Sequence, residues 1–304
     1  MTRNFIYLIN PIAGTKSKEG LAKLIASAHT RYGFSYDIIS TVADGNYIFL
    51  IDRIRKNNIT DIVVCGGDGS INAVAASLMD VNVNIGIIPM GSGDGLARTA
   101  GISKTPEKAL DTIFTGKSSF INGFYINEHF SCMLCGIGFD AQVAHEFAKQ
   151  PKRGLKTYIR VTAKNFFTAK PKTFRVKVNN QLIDVKAFFI SVANSNQFGN
   201  DFKIAPQASL VDDLLDIVIV KGMSKLLLPF SIMGQITGFN GMQAAQEITS
   251  KKNIIYFQTH ALRIENPDKA MLHIDGDPKE TADFFDIKLI KKAFRLIMPL
   301  SDKS

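Results

Sequence analysis

Short apolar runs alternate with helical patterns through the first 120 residues, and this alternation limits the folds that the chain can adopt. Strands that are separated by helices form βαβ units around a parallel sheet, and ligands bind beyond the carboxyl ends of its strands. The sequence therefore predicts an α/β domain with a site at one edge of the sheet. The predicted strands are residues 5–9, 36–40, 61–65 and 84–89, and the predicted helices are residues 20–31, 47–56 and two that begin at Ser70 and Ser92.

The pattern changes after residue 118, where runs with strand character follow one another closely. Their density predicts an antiparallel β-sandwich as a second domain. We expect the α/β domain over residues 1–120 and the sandwich over residues 121–292, with the tail of residues 293–304 returning to the first domain. The predicted strands of the sandwich are residues 120–126, 173–178, 187–193, 215–220, 254–258, 261–265, 271–274, 284–290 and 294–298, and helices are predicted near residues 141–148, 153–166 and 225–237.

Hydropathy and cysteine usage favour a cytoplasmic protein. No apolar run approaches the roughly 18 residues that a membrane-spanning helix needs. The apolar stretch at the N-terminus is shorter than that of a secretory signal, so we interpret it as the first strand. The chain has three cysteines, Cys65, Cys132 and Cys135. This odd number fits unpaired core residues in a reducing compartment.

The formal charge of +9 is concentrated in one segment. From Lys149 to Lys177 the chain has ten basic residues and no acidic one, so the remainder carries a net charge of −1. An amphipathic basic helix is predicted inside this segment, with Leu155, Tyr158, Ile159, Thr162 and Phe166 on one face and Arg153, Lys156, Arg160 and Lys164 on another. Such a segment favours a surface that meets anions, either nucleic acid or an anionic membrane.

Three glycine-rich turns follow predicted strands of the first domain, at residues 10–14, 66–70 and 91–95. Glycine lets a backbone approach a ligand closely, and amides at the start of a helix favour phosphate. None of the turns has the P-loop or dinucleotide-fold spacing. Asp68 lies between glycines at a strand end, where it suits a phosphate or metal site, although a turn former or helix cap is the alternative.

The motifs that contain these turns resemble the catalytic domain of the diacylglycerol kinase and sphingosine kinase family. They are Cys65-Gly-Gly-Asp-Gly-Ser-Ile-Asn72 and Ile88-Pro-Met-Gly-Ser-Gly-Asp-Gly-Leu-Ala-Arg98. Later elements are similar in order and spacing: Gly136-Ile-Gly-Phe-Asp-Ala141, Asp212-Asp-Leu-Leu-Asp216 and Ile274-Asp-Gly-Asp-Pro278. The resemblance implies a phosphofructokinase-like ATP-binding domain, a β-sandwich domain and Mg²⁺-dependent phosphorylation of a lipid hydroxyl.

The resemblance also implies a role for each matched residue. Asp275 is the expected general base, and Asp68 is a second catalytic residue. Asp68, Asp212 and Asp216 are expected to support the metal, and Asp140 to contact the lipid head. For Asp275, Asp216 and Asp140 the alternatives are a turn residue, the start of a strand and a helix N-cap. The residues expected to bind the nucleotide are Asn10, Pro11, Gly14, Gly66, Gly67, Gly69, Ser70, Gly91, Ser92, Gly93, Asp94 and Asp277.

The third turn departs from the family pattern at two positions. Asp94 replaces the usual asparagine, and Gly95 stands where typical diacylglycerol kinases have an acidic residue. A carboxylate beside phosphates repels them unless a cation intervenes, so loss or retuning of activity is one consequence.

The expected function is ATP-dependent phosphorylation of a membrane lipid, with diacylglycerol converted to phosphatidic acid. The alternatives are a sphingoid-base kinase, a kinase for a soluble acceptor, and a non-catalytic nucleotide- or lipid-binding scaffold. The expected partners are the lipid substrate and an anionic membrane surface at the inner face of the membrane, bound through Lys149 to Lys177, and not nucleic acid. The sequence does not decide the oligomeric state, for which a homodimer is one option.

Overall fold

A computed structural model describes residues 3–10, 18–151, 154–197, 203–244, 248–249 and 251–300. The predicted nucleotide ligands Pro11 and Gly14, and Arg153 of the predicted basic helix, lie outside these residues. The chain divides into two compact units. The first comprises Met1–Asn122 with Lys291–Ser304, and the second comprises Gly123–Ile290.

The first unit is the predicted α/β domain. Its parallel strands are ordered β4-β3-β1-β2, and the C-terminal part of β15 adds a further parallel strand beside β4. The strands are β1 (Asn4–Ile9), β2 (Ser35–Ser40), β3 (Asp61–Gly66), β4 (Asn84–Pro89) and β15 (Phe284–Met298). The helices are α1 (Lys18–Tyr32), α2 (Phe49–Lys56), α3 (Asp68–Leu78), α4 (Gly95–Thr99) and α5 (Pro106–Thr115).

Burial explains why the central strands of this sheet are recognisable in the sequence. β1, β3 and β4 are buried along nearly their whole length, as is typical of strands covered on both faces. The helix predicted from Ser92 instead begins at Gly95, because Asp94 has left-handed backbone angles, and α4 has only five residues. The structure adds α5, which was not predicted.

The second unit is the predicted antiparallel β-sandwich. Its main path is β14-β13-β7-β9-β8-β12-β15, with β10 between β9 and β11, and with β5 beside β6 and β15. The strands are β5 (Lys117–Ile126), β6 (His129–Ser131), β7 (Leu134–Gly138), β8 (Lys172–Val178), β9 (Gln181–Ala193), β10 (Leu215–Lys221), β11 (Ile254–Thr259), β12 (Ala261–Glu265), β13 (Leu272–Ile274) and β14 (Asp277–Lys279). The helices are α6 (Phe139–Ala148), α7 (Leu155–Thr168) and α8 (Leu228–Ile236).

Alternating burial along the strands builds the core of this unit. In β8, Phe174, Val176 and Val178 are buried while the residues between them are exposed. Two predictions are corrected here. Residues 284–298 form one strand, β15, and not the two that were predicted, although Lys292 within it has a φ of 53°. Ile159, which the sequence places on the apolar face of the basic helix with Tyr158 and Phe166, is 57% exposed.

Candidate active site

Asn10 and the second glycine turn meet at the carboxyl ends of β1 and β3. The Asn10 amide N–H donates to Cys65 O at 3.1 Å, and its side-chain Nδ2 donates to Ser70 Oγ at 3.2 Å. An ideal Cβ on Gly66 would lie 3.0 Å from Ser70 Cβ, so this position favours glycine. The structure therefore brings three predicted nucleotide ligands, Asn10, Gly66 and Ser70, to one edge of the sheet.

The second and third glycine turns contact each other through their backbones. A Cβ on Gly91 would lie 2.8 Å from Gly67 Cα and 2.7 Å from Asp94 Oδ1. Neither Gly67 nor Gly91 has room for a side chain without a shift of the other turn. Gly69 and Ser92 are exposed, and Gly93 is half-buried. The close backbone contact leaves a glycine-lined surface of the kind that phosphate oxygens can approach.

The Asp68 carboxylate joins α3 to the start of α4. Oδ2 accepts a hydrogen bond from Gly95 N at 2.9 Å, and Oδ1 accepts one from Leu96 N at 3.1 Å. Burial raises the pKa of Asp68, and these two amides oppose part of the rise. Asp68 thus caps α4, which corresponds to the alternative interpretation of this residue. Its part in catalysis or metal binding stays a prediction.

Asp94 is paired with a lysine that sequence reasoning did not identify. Its Oδ1 accepts a hydrogen bond from Gly91 N at 2.8 Å, and its Oδ2 lies 3.1 Å from Lys104 Nζ. Asp94 is only 2% exposed; burial raises the pKa of its carboxyl, and Lys104 opposes that rise. The carboxylate closes its own turn and is neutralised, which reduces the repulsion expected between Asp94 and a phosphate.

Asp275 occupies the turn between β13 and β14 in the second unit. Its φ of 53° and the φ of 85° at Gly276 make this a left-handed turn. Asp275 Oδ1 accepts hydrogen bonds from Ser131 Oγ at 2.8 Å and Leu134 N at 3.0 Å. The half-buried carboxylate is therefore held in one orientation, as a general base requires. Asp277 lies in β14 and is exposed.

A buried histidine supports the same turn. Gly276 N donates to His273 Nδ1 at 3.2 Å, which assigns the proton of the neutral ring to Nε2. His273 Nε2 lies 3.4 Å from Asp140 Oδ2, and the two residues are 1% and 8% exposed. A Cβ on Gly136 would overlap both groups. Asp140 thus has a partner inside the protein, and its contact with a lipid head stays a prediction.

Asp212 and Asp216 are brought together by Gln258. Its Nε2 donates to Asp216 Oδ2 at 3.0 Å and to Asp212 Oδ2 at 3.3 Å, while Tyr256 Oη donates to Asp216 Oδ1. Burial raises the pKa of Asp216 to about 6, against the effect of these two donors. Asp212 is exposed.

The donor set in the described part of the chain contains no cluster of three or more histidine, cysteine or acidic side chains arranged for a metal. Mg²⁺ in kinases commonly uses one or two carboxylates together with phosphate oxygens and water. Asp212 is exposed and fits that limited requirement. Asp216 is fully buried, and both oxygens of Asp68 and of Asp216 already accept hydrogen bonds inside the protein. Their metal-binding roles stay predictions.

Two family models match this chain in succession. The diacylglycerol kinase catalytic domain matches residues 4–124, and the YegS C-terminal NAD kinase beta sandwich-like domain matches residues 134–284. The chain belongs to the diacylglycerol kinase-like family of lipid kinases. This family consists of phosphotransferases that act on an alcohol, and kinase membership implies the use of ATP. The resemblance and the two-domain fold expected from the sequence are confirmed.

Relatives that align with most of this chain, and over most of their own length, support this assignment. A probable lipid kinase YegS-like protein of Shewanella frigidimarina is 25% identical over 88% of this chain and 85% of its own length. A diacylglycerol kinase of Bacillus subtilis is 22% identical over 89% and 88%. A crystal structure of a putative diacylglycerol kinase from Bacillus anthracis has the same fold, with a TM-score of 0.78 at 19% identity and coverage of 97% and 96%.

Among the residues that the structure describes, none of the helices combines the length and the hydropathy needed to cross a bilayer.

Proposed function

We propose that this kinase transfers the γ-phosphoryl group of ATP, with Mg²⁺, to the hydroxyl of diacylglycerol in a membrane, giving phosphatidic acid. The observation that carries the proposal is the Asp275 carboxylate, which two hydrogen bonds to Oδ1 hold on the β13–β14 turn. A carboxylate so oriented can accept the proton of the attacking hydroxyl. The glycine turns around Asn10, Gly67 and Gly91 would bind the triphosphate.

The environment of Asp140 favours a neutral acceptor over a sphingoid base. An amino headgroup needs an accessible carboxylate, but Asp140 is 8% exposed. Its Oδ1 accepts from Ala141 N at 2.8 Å, and its Oδ2 faces His273. The name of the Bacillus subtilis relative, a diacylglycerol kinase, also supports this choice.

The acceptor is tested by radiolabelled ATP and vesicles that carry, in turn, diacylglycerol, sphingosine and ceramide. We expect label in the diacylglycerol product. Label in sphingosine alone would overturn the choice of acceptor. ATP binding without transfer to any lipid would contradict the kinase proposal and support a non-catalytic scaffold.

We propose that the protein associates with the membrane through one part of the basic segment Lys149 to Lys177. Lys149 pairs with Glu146 at 2.9 Å, Arg175 with Asp184 at 2.8 Å, and Lys177 with Glu265. These acids lie outside the segment and neutralise part of its charge. The cations on the exposed side of α7 remain as the anion-binding surface, and they are Lys156, Arg160 and Lys164.

A matched pair of triple variants tests this surface. We expect K156Q/R160Q/K164Q to reduce binding to vesicles of phosphatidylglycerol and phosphatidylcholine about a hundredfold, since each surface cation contributes about 1 kcal/mol. The control K149Q/R175Q/K177Q removes the same charge from ion-paired positions and should lose far less. Sedimentation at increasing salt measures both. Equal losses, or binding that salt does not weaken, would contradict the assignment of α7.

A further inference from the structure

The segment from Leu226 to Phe239 exposes an unusual amount of apolar surface. Leu226 is 82% exposed, Phe230 77%, Met233 60% and Phe239 88%. No residue from Leu226 to Ala244 is charged. A surface helix of a soluble domain normally turns its polar side to water, and contiguous exposed apolar patches mark interaction sites. The outward side of α8 therefore has the character of an interface.

α8 is attached to the second unit by its opposite side. Leu228 is buried, and so is Gln235, whose Nε2 donates to Ile204 O at 2.9 Å. Leu226, Phe230 and Met233 follow the i, i+4, i+7 spacing of one helix face. The helix thus has a fixed inner side and an apolar outer face, which we call the α8 apolar face: Leu226, Phe230, Met233 and, after the helix, Phe239.

The start of this segment contacts the end of α7. Lys225 Nζ hydrogen bonds to Phe167 O, and a Cβ on Gly222 would lie 2.8 Å from Pro171 Cγ. Phe167 is 75% exposed, and Ile159 lies two turns before it on the same helix. Apolar exposure thus continues from the α8 apolar face to α7.

The positive charge beside this surface indicates which partner binds there. The exposed cations Lys156, Arg160 and Lys164 lie on α7, and residues 154–172 include no acidic residue. A second copy of the chain in a symmetric contact would bring the same cations, and no acidic residue from 154–172 to pair with them. An anionic bilayer supplies both complements, since headgroups carry negative charge and acyl chains accept apolar side chains.

We propose that the α8 apolar face and Phe167 insert into the acyl boundary of an anionic bilayer while the α7 cations bind its headgroups. The inference rests on the proposed lipid kinase function, because it supplies the surface through which the enzyme reaches a substrate that stays in the membrane. Insertion adds a binding contribution that salt does not weaken, beyond the electrostatic one of α7.

The absence of tryptophan from the chain allows a direct test. F230W introduces a single indole into the α8 apolar face, and F49W introduces one at an exposed site of the first unit, where Phe49 is 51% exposed. With vesicles of equal parts phosphatidylglycerol and phosphatidylcholine, we expect a blue shift for F230W and quenching by brominated acyl chains. F49W should show neither. Absence of both effects in F230W, or a blue shift that appears with protein dimerisation in lipid-free buffer, would overturn the proposal.

A second variant separates this inference from the proposed function. F230S/F239S should bind the same vesicles about tenfold more weakly, with an unchanged thermal melt, because both side chains are exposed in the folded state. It should keep wild-type turnover on a short-chain diacylglycerol in detergent micelles. Equal vesicle binding by wild type and variant would overturn insertion. Loss of turnover by wild type on every lipid would instead contradict the kinase proposal, whatever the vesicle result.

Discussion

Asp94 and Lys104 form the ion pair that fixes the third glycine turn. Asp94 has left-handed backbone angles and closes the turn through Gly91 N, while Lys104 neutralises it from ten residues away. The family usually has an amide at the position of Asp94, so this chain has replaced a neutral turn former with a charged pair. A buried carboxylate that loses its cation is strongly destabilising, whereas a neutral amide in its place is tolerated.

The pair predicts a rescue by double substitution. K104M should weaken ATP binding about tenfold and destabilise the protein by about 1–3 kcal/mol, because Asp94 is left buried without its cation. D94N/K104M should recover most of both losses, since no charge then remains buried. Calorimetric titration with ATP and urea denaturation measure the two effects. A double variant as impaired as K104M would contradict this role for Lys104.

Asp216 predicts a pH dependence of stability. Its pKa in the folded protein is about 6 against an ordinary 3.8, so the folded state binds more protons between these values. Its contribution to the free energy of unfolding therefore falls as pH rises through this window. As pH rises from about 4 to about 7, the free energy of unfolding of D216N should increase by about 2–3 kcal/mol relative to that of wild type.

Urea denaturation at both pH values checks this prediction, with D80N at an exposed position as the control. A difference between D216N and wild type that does not change with pH, or that falls as pH rises, would refute it.

At the scale of elements, strands were easier to predict than the partners of site residues. β1, β3 and β4 are buried on both faces and therefore form continuous apolar runs. The sequence predicted one helix from Ser92 and not α4 followed by α5, because the left-handed angles of Asp94 and Gly101 have no periodic signal.

The aspartates of the candidate site stand in recognisable motifs, but the groups that orient them do not. Asp275 was identified from its motif, yet its hydrogen-bond donors Ser131 and Leu134 lie 144 and 141 positions earlier. His273 lies inside an apolar run, where nothing local distinguishes it from a core residue. Contacts of this kind depend on strand pairing, here of β13 with β7, which a single sequence does not specify.

His273 accepts a hydrogen bond from the Gly276 amide in the β13–β14 turn, so we predict that it positions Asp275. H273A removes the acceptor of the Gly276 amide and should lower kcat about tenfold to a hundredfold, since a shift of about 1 Å at the base has that effect. The KM for ATP should change little. H273N retains an oxygen that can accept the same N–H and should restore part of kcat. A parallel loss of kcat and thermal stability without rescue would indicate a purely structural role.

At the scale of the whole molecule, the two units carry different parts of the machinery proposed for phosphoryl transfer. The first unit carries the glycine turns, and the second carries Asp275, His273 and the surface proposed to meet lipid. The net charge of +9 belongs almost entirely to one segment of the second unit, and partners outside that segment neutralise part of it. What remains is a local basic surface beside exposed apolar side chains, which suits a bilayer.

The central claim is that Asp275 activates a lipid hydroxyl for attack on ATP. The most direct measurement is label transfer from radiolabelled ATP to diacylglycerol in vesicles by wild type and by D275N, with ATP binding and thermal melts recorded for both. We predict that D275N binds ATP and melts as wild type does but transfers label at least a hundredfold more slowly. Transfer by D275N at the wild-type rate would contradict the account.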